Sequence, residues 1–243
     1  MNRIALMRIL SRVRLPAPMA LWKYYHRKLF GLHRRLLGIR TPLPPFTDYS
    51  VTADFANLMI SEILEHKPSL IVEAGSGLST IIAAYCLKQL GRGFLIALEH
   101  EPRYLELCQN AILDHRLQEY VRVVHAPLTR LKLGDREWLW YEPTFKEGVT
   151  TIDLLLVDGP PGDVQSLSRY PMLPILFDSL GEKALILMDD GARPDEKEIL
   201  ARWTREYGCF DATYIECEKG SIRLQRRPSH KSGAPSLTNP SWS

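Results

Sequence analysis

The stretch Val72 to Thr80, VEAGSGLST, decides how this chain is read. It follows the apolar residues Leu70 and Ile71 and opens a helical pattern. Two glycines at a strand-to-helix turn let backbone come close to a ligand. A dinucleotide turn is written G-x-G-x-x-G, its third glycine allowing close helix–strand packing. Gly75 and Gly77 fit the first two places, but Thr80 stands at the third. Glu73 precedes the first glycine by two residues, and a carboxylate there repels a pyrophosphate at the helix N-terminus. No G-K-[ST] follows, so a nucleoside triphosphate loop is excluded.

The turn therefore suits a ligand with a cationic part and no phosphate. S-adenosylmethionine, which carries an ammonium, a sulfonium and a ribose, fits that description. A second acid supports it. Glu99 ends the next strand, 22 residues after Gly77. A carboxylate at that place accepts both ribose hydroxyls. Nicotinamide sites use the same device, so the discriminating feature is Glu73 and Glu99 together around Gly-Ser-Gly.

Outward from this turn the chain alternates strands and helices. The patterning predicts a helix over Ala53–His66, a strand Leu70–Ala74 and a helix Ser79–Leu90. Next come a strand Gly93–Glu99, a helix Arg103–His115 and a strand Val121–His125. An irregular stretch, Pro127–Thr150, contains WLWYEP. A strand Ile152–Asp158, a helix Val164–Leu180, a strand Ala184–Asp189 and a helix Pro194–Tyr207 follow. Ala212–Cys217 and Ser221–Arg226 read as a hairpin around Lys219-Gly220. Such alternation implies an α/β fold with a doubly wound parallel sheet covered on both faces. Ligands on such sheets bind beyond the carboxyl ends of the strands.

Charge divides the 243 residues unevenly. The first 47 hold ten Lys/Arg and no Asp/Glu, while the other 196 hold 21 basic and 28 acidic residues. We divide the chain into a basic arm with a Pro-rich linker (1–47, ending in Thr41–Phe46), a main domain (48–226) and a Ser/Pro-rich tail (227–243) read as disordered. In the arm, Leu6, Ile9, Leu10 and Val13 share one helical face. From Met19 to Leu37, Trp22, Tyr25, Leu29, Leu32 and Leu36 form a second stripe. An anionic membrane surface met through residues 1–40, packing on the core, a homodimer contact and a transit peptide are the alternatives for this arm. No run reaches the roughly 18 apolar residues of a membrane span, and no secretory signal pattern is present. The expected location is cytoplasmic, peripheral at the inner membrane face if the arm binds lipid. Cys86, Cys108, Cys209 and Cys217 form no C-x-x-C pair and read as free thiols.

Taken in order, E-A-G-S-G-L-S, A-L-E-H, V-D-G-P-P-G and L-M-D-D-G resemble successive motifs of the class I S-adenosylmethionine-dependent methyltransferases. The resemblance covers about Ala53–Gln225 and implies a Rossmann-like seven-stranded sheet, order 3-2-1-4-5-7-6, with the last strand antiparallel. It implies that Glu73, Gly75, Ser76, Gly77 and Ser79 hold the methionine part, Glu99 the ribose, and Ala126-Pro127 the adenine. The same resemblance implies that Asp158 lies near the sulfonium.

Transfer to a thiolate or amine needs little beyond alignment, whereas a hydroxyl needs a base or a metal. Asp158, Asp189 and Asp190 stand at the ends of adjacent strands, where oxygen ligands select Mg²⁺, Ca²⁺ or Mn²⁺. This trio is similar to that of metal-dependent O-methyltransferases. The competing reading is that Asp189-Asp190 caps the next helix and Asp158 binds its own loop. Two prolines follow Asp158 where those families often keep a polar catalytic residue, so Asp163 and His100 are further candidates for the base. Trp138, Trp140, Tyr141 and Glu142 form either a substrate lid or a packed insertion. His125 is read as structural.

The expected function is methyl transfer to oxygen of a small-molecule or sugar-like acceptor. The alternatives are a non-catalytic module of the same fold at a membrane surface and a nicotinamide-dependent oxidoreductase. Nucleic acid is disfavoured as a partner, because N-P-P-[YF] is absent after the fourth strand.

Overall fold

The computed structural model describes residues 19–45, 50–149 and 151–228. The amphipathic piece over residues 1–15, the end of the linker at Phe46 and the tail beyond Pro228 lie outside them.

Leu70–Ala74 (β1) is buried on both faces and lies between Phe94–Glu99 (β2) and Ile152–Val157 (β6). Val121–His125 (β3) flanks β2, and Leu180–Met188 (β7) flanks β6. Ser221–Arg226 (β9) and Phe210–Ile215 (β8) complete the sheet, with order β3-β2-β1-β6-β7-β9-β8. Neighbours are parallel except that β9 runs antiparallel to β7 and β8. This is the expected topology, renumbered by two strands that stand outside the sheet.

Those two are Leu128–Leu133 (β4) and Arg136–Tyr141 (β5), paired as an antiparallel hairpin. They lie within the stretch read as irregular. Alternation of Leu128, Arg130, Lys132 against Thr129, Leu131, Leu133 is weak, and the Trp138-Leu139-Trp140-Tyr141 run has no polar partner positions, so period-2 patterning was hidden. The predicted helix Val164–Leu180 is also corrected. Only Met172–Leu176 (α5) is α-helical there, followed by a 3₁₀ turn at Phe177–Ser179. Pro171 and Pro174 remove amide donors from that segment.

The remaining helices are Met19–Leu36 (α1), Ala53–His66 (α2), Leu78–Leu90 (α3), Pro102–Asp114 (α4) and Pro194–Glu206 (α6). Both α4 and α6 begin with proline, whose fixed φ suits a first turn and whose missing amide costs nothing there. Adjacent strand residues face opposite layers. Ile71, Leu154 and Leu185 pack with α1–α4, whereas Val72, Leu155 and Ile186 pack with the hairpin, α5 and α6. Trp140, Tyr141 and Trp203 are completely buried in this second layer.

Helix α1 packs on α2 through a face shifted from the predicted stripe. Phe30 and His33 are buried, the Trp22 indole donates to Asp54 at 2.8 Å, and Asn57 bridges His26 and His33. Tyr25, placed on the stripe, is 44% exposed. Phe30, Leu37 and Ile39 share one hydrophobic cluster with α2, α3 and α4. Among the described residues no helix is long and apolar enough to cross a membrane.

Candidate functional site

The register brings the chemistry to one edge. Ala74 pairs with both Leu98 and Val157, and Val157 pairs with Met188. Gly75, Glu99, Asp158 and Asp189 therefore emerge side by side at the strands' carboxyl ends. Main-chain bonds continue the ladder past them: Gly75 N–H donates to Leu98 O, Asp158 N–H to Ala74 O and Asp189 N–H to Val157 O.

Gly75 turns the chain with φ +91°, which a side chain resists. Thr80, at the place of the missing third glycine, has a structural task. Its hydroxyl donates to Glu73 Oε2 at 2.6 Å and accepts the Gly77 N–H at 2.9 Å. Glu73 is 1% exposed, and its Oε1 has no hydrogen-bond partner. Burial pushes its carboxyl up to about 8, against the Ser79 and Thr80 hydroxyls, with Asp158 and Glu99 adding to the rise. This is an unused buried acceptor with its first turn pre-shaped, which fits an ammonium-bearing ligand.

Glu99 behaves oppositely. Burial raises its carboxyl, but contacts with His100, the Glu101 amide and Ser76 outweigh burial and hold it below the usual range. Ser76 donates to Glu99 Oε2 through both Oγ (2.8 Å) and N–H (3.3 Å), and Glu101 N–H donates to Oε1 at 3.0 Å. His100 Nδ1 lies 3.3 Å from the same oxygen. An ionised, oriented carboxylate at this place suits a ribose diol. Ala126 is buried after β3 and donates its N–H to Glu99 O, with Pro127 exposed beside it.

The hairpin returns the chain to this point, since Glu142 N–H donates to Pro127 O. It delivers Tyr141, whose buried hydroxyl has no partner. Burial and the nearby Glu99 and Asp158 charges push that phenol well above its ordinary value, so it remains a donor. A Cβ on Gly159 would collide with the Tyr141 hydroxyl and approach Gly75 N at 3.0 Å. Gly159 thus keeps β6's loop, the hairpin and the glycine turn in contact. The Gly159–Pro160 peptide is cis. Trp138 stacks on Tyr170 at 4.7 Å, the Arg136 guanidinium covers its ring at 4.0 Å, and Gln165 bonds both Leu139 N–H and Leu139 O. Of the two readings of the WLWY stretch, the buried packing matches an insertion that forms a wall.

The acidic trio is arranged around Arg169, a residue that sequence reading missed. Its side chain is 3% exposed. Nη2 lies 2.7 Å from Asp190 Oδ2 and 3.2 Å from Asp158 Oδ1. Nη1 donates to Asp189 O at 2.9 Å and lies 3.4 Å from Glu196 Oε1. Arg193 also reaches Asp190 Oδ2, at 3.0 Å. Asp189 turns one oxygen onto the Asp190 amide. Burial, then the charges of Asp158 and Asp190, pushes Asp189 well above the carboxylate range. Burial pushes Asp158 up to about 6, opposed by Arg169. As a ligand set for Mg²⁺ the trio does not fit, because the Arg169 and Arg193 guanidiniums already set full positive charge against Asp158 and Asp190. Among the described residues no group of three or more His, Cys, Asp or Glu is arranged to hold a metal. Neither aspartate caps α6, whose N-cap is Arg193 without a side-chain cap bond.

Of the other candidates, His100 stays with the site and Asp163 and His125 do not. His100 sits between Glu99 and the Tyr141 ring, 5.9 Å away edge-on. Asp163 is exposed on the loop after β6, and His125 is exposed at the end of β3. Arg169 was missed because it comes from a segment with no motif of its own, and Tyr141 was singled out only as part of the lid-or-insertion stretch. The only available signal was an arginine followed closely by Tyr-Pro in an apolar stretch. A cavity of about 570 Å³ lined by Phe177, Leu180, Cys209 and Arg226 lies at the amino end of β7, away from these residues. All four cysteines are free thiols, with Cys86 and Cys108 buried.

The family profile described as "Methyltransferase domain" matches residues 72–191, the span from Glu73's strand through Asp190. No curated protein matches the chain by sequence. Among solved structures, the SAH-bound methyltransferase PaMTH1 of Podospora anserina is 16% identical, with a TM-score of 0.64 over 88% of this chain and 99% of that one. A putative caffeoyl-CoA O-methyltransferase from Staphylococcus aureus is 11% identical, TM-score 0.57, over 85% and 99%. An O-methyltransferase from Bacillus cereus in complex with SAH is 15% identical, TM-score 0.56, over 92% and 97%. The likeness to these structures is one of fold, and the matched domain and the ordered motifs identify residues 72–191 as an S-adenosylmethionine-dependent methyltransferase domain.

Proposed function

We propose that this methyltransferase acts on an oxygen of a small-molecule or sugar-like acceptor, with Asp158 as the base. The observation that carries the reading is Asp158 itself. It stands beside Gly75, its side chain is 24% exposed, and only Oδ1 is engaged by Arg169. A carboxylate at about 6 is ionised at neutral pH and close enough to it for proton transfer. The O-methyltransferase names of structural relatives support the same class of acceptor.

Bound S-adenosylmethionine supplies an electrophilic methyl carbon on a sulfonium. Glu73 Oε1 would accept from the ammonium, Glu99 would accept from the ribose hydroxyls, and the Gly75–Gly77 turn would allow close approach. Asp158 would take the proton of the acceptor hydroxyl as that hydroxyl oxygen receives the methyl group. The products are the methyl ether and the thioether. Tyr141, held protonated, donates a hydrogen bond within the cleft.

Calorimetric titration with S-adenosylhomocysteine tests the cofactor half. The wild type binds, and Glu99→Gln loses at least about tenfold in affinity, as expected when a buried charge-assisted acceptor is removed. A wild type that does not bind overturns the reading.

A second, separable proposal concerns the arm. Helix α1 exposes Met19, Leu21, Tyr24 and Tyr25 beside exposed Arg27 and Lys28. Aromatics interleaved with cations suit an anionic lipid surface, continued by the basic residues 1–18. The protein would then work at the inner membrane face.

A further inference from the structure

We propose that the Arg169 guanidinium holds the place between Asp158 and Asp190 that a divalent cation would take, so that cofactor binding and transfer need no metal. The inference rests on the methyltransferase reading for its catalytic consequence, but its charge argument stands on geometry alone.

Asp158 and Asp190 emerge from adjacent strands β6 and β7, close enough for one positive group to bridge them. A hard cation bridges such carboxylates through short oxygen contacts of about 2.0–2.6 Å and would have to take the place between them. Here one nitrogen, Arg169 Nη2, contacts both carboxylates. Its fellow Nη1 reaches the Asp189 carbonyl and Glu196. The guanidinium is planar, always charged and forked, so it satisfies several fixed acceptors at once. A divalent ion beside it would meet a full positive charge at short range in a poorly screened interior. Arg193 adds a second positive charge on the same Asp190 oxygen.

The arrangement has a consequence for Asp158. Its Oδ1 is tied to Arg169, which orients the side chain and leaves the other oxygen for the acceptor. Arg169 is therefore a positioning residue, not one that touches the reacting atoms. It comes from the loop after β6, and the Ser168 hydroxyl next to it donates to Pro160 O at 3.0 Å. That bond ties the arginine's backbone to the Asp158-Gly159-Pro160-Pro161 turn. Removing the guanidinium would take away the ion pair of Asp158 and leave Asp190 with Arg193 alone. Such a cluster would recruit a cation from solution.

The test measures Mn²⁺ binding by the electron paramagnetic resonance of the free ion, and S-adenosylhomocysteine binding by calorimetry, on the full chain. For the wild type, the free Mn²⁺ signal is expected to persist, and S-adenosylhomocysteine affinity to change by less than about twofold between chelator and Mn²⁺. Arg169→Met is expected to take up Mn²⁺ near one equivalent, and Arg169→Lys to restore the wild-type behaviour in part. A wild type that sequesters Mn²⁺, with loss in Asp190→Asn, overturns the proposal. So does an Arg169→Met protein that folds and binds no Mn²⁺. If Arg169→Met does not fold, the wild-type titration decides alone. Failure of S-adenosylhomocysteine to bind in any condition counts against the methyltransferase reading, whereas the Mn²⁺ measurement still decides this one.

Discussion

The Thr80 hydroxyl donates to Glu73 Oε2 at 2.6 Å while accepting the Gly77 amide at 2.9 Å. One side chain thus joins the acid at the end of β1 to the second glycine of the turn. Thr80→Val, nearly isosteric, should leave both partners without their bond. We expect a loss of about 1–3 kcal/mol in stability, read by denaturant unfolding, and weaker S-adenosylhomocysteine binding. Thr80→Ser should restore most of both. Equal stability of the valine variant and wild type would mean the link contributes little.

Glu73 predicts a pH dependence of definite sign. Its folded-state value of about 8 lies above the ordinary 4.5, so the folded protein keeps a proton that the unfolded chain releases. Stability contributed by that proton is full below about 4.5 and is lost as pH rises through about 8. Glu73→Gln should flatten unfolding free energy against pH across that window. Cofactor binding that places an ammonium on the carboxylate should release a proton. Calorimetry in buffers of different ionisation enthalpy would detect it, and identical heats would contradict the contact.

Gly159 and Tyr141 should be coupled. Gly159→Ala drives a methyl into the phenol oxygen and toward Gly75 N, and overpacking of this kind costs about 1–3 kcal/mol. Tyr141→Phe removes the atom that is struck. The double variant should therefore recover part of the loss, measured as a coupling energy in a double-mutant cycle. Strict additivity would place the strain entirely at the Gly75 backbone.

Asp158 should govern the reaction's pH profile once an acceptor is in hand. The base form exists above about 6, so kcat/KM should rise through that region and level off. Asp158→Asn should lower kcat by about 10²–10⁴ while S-adenosylhomocysteine affinity stays close to wild type. A flat profile with a fully active Asn variant would transfer the role elsewhere.

The membrane proposal calls for a mild perturbation. Deleting residues 1–40 would uncover the core contacts of Phe30, Leu37 and Ile39. Removing residues 1–18 and changing Arg27 and Lys28 to Glu leaves that packing in place. Co-sedimentation with phosphatidylserine vesicles should be lost, with cofactor affinity unchanged. Persistent sedimentation would remove lipid from the arm's role.

By itself the sequence determined the strand–helix order, the glycine turn, and the acids Glu73, Glu99 and Asp158 at or near strand ends, while the sheet order came from the family resemblance. These rest on local period and on short fixed spacings, which neighbouring residues alone specify. The sequence was silent on the hairpin at Leu128–Tyr141, where tryptophans blur the alternation, and wrong on Val164–Leu180, where prolines break a helix that apolar spacing suggested. Only the tertiary structure decided what surrounds the acids. Arg169 meets Asp190 across 21 residues of chain, and Tyr141 meets Gly159 across 18. Such meetings depend on how loops fold over a completed sheet. A buried charge takes whichever partner that packing delivers, because leaving it unpaired costs more than any local preference.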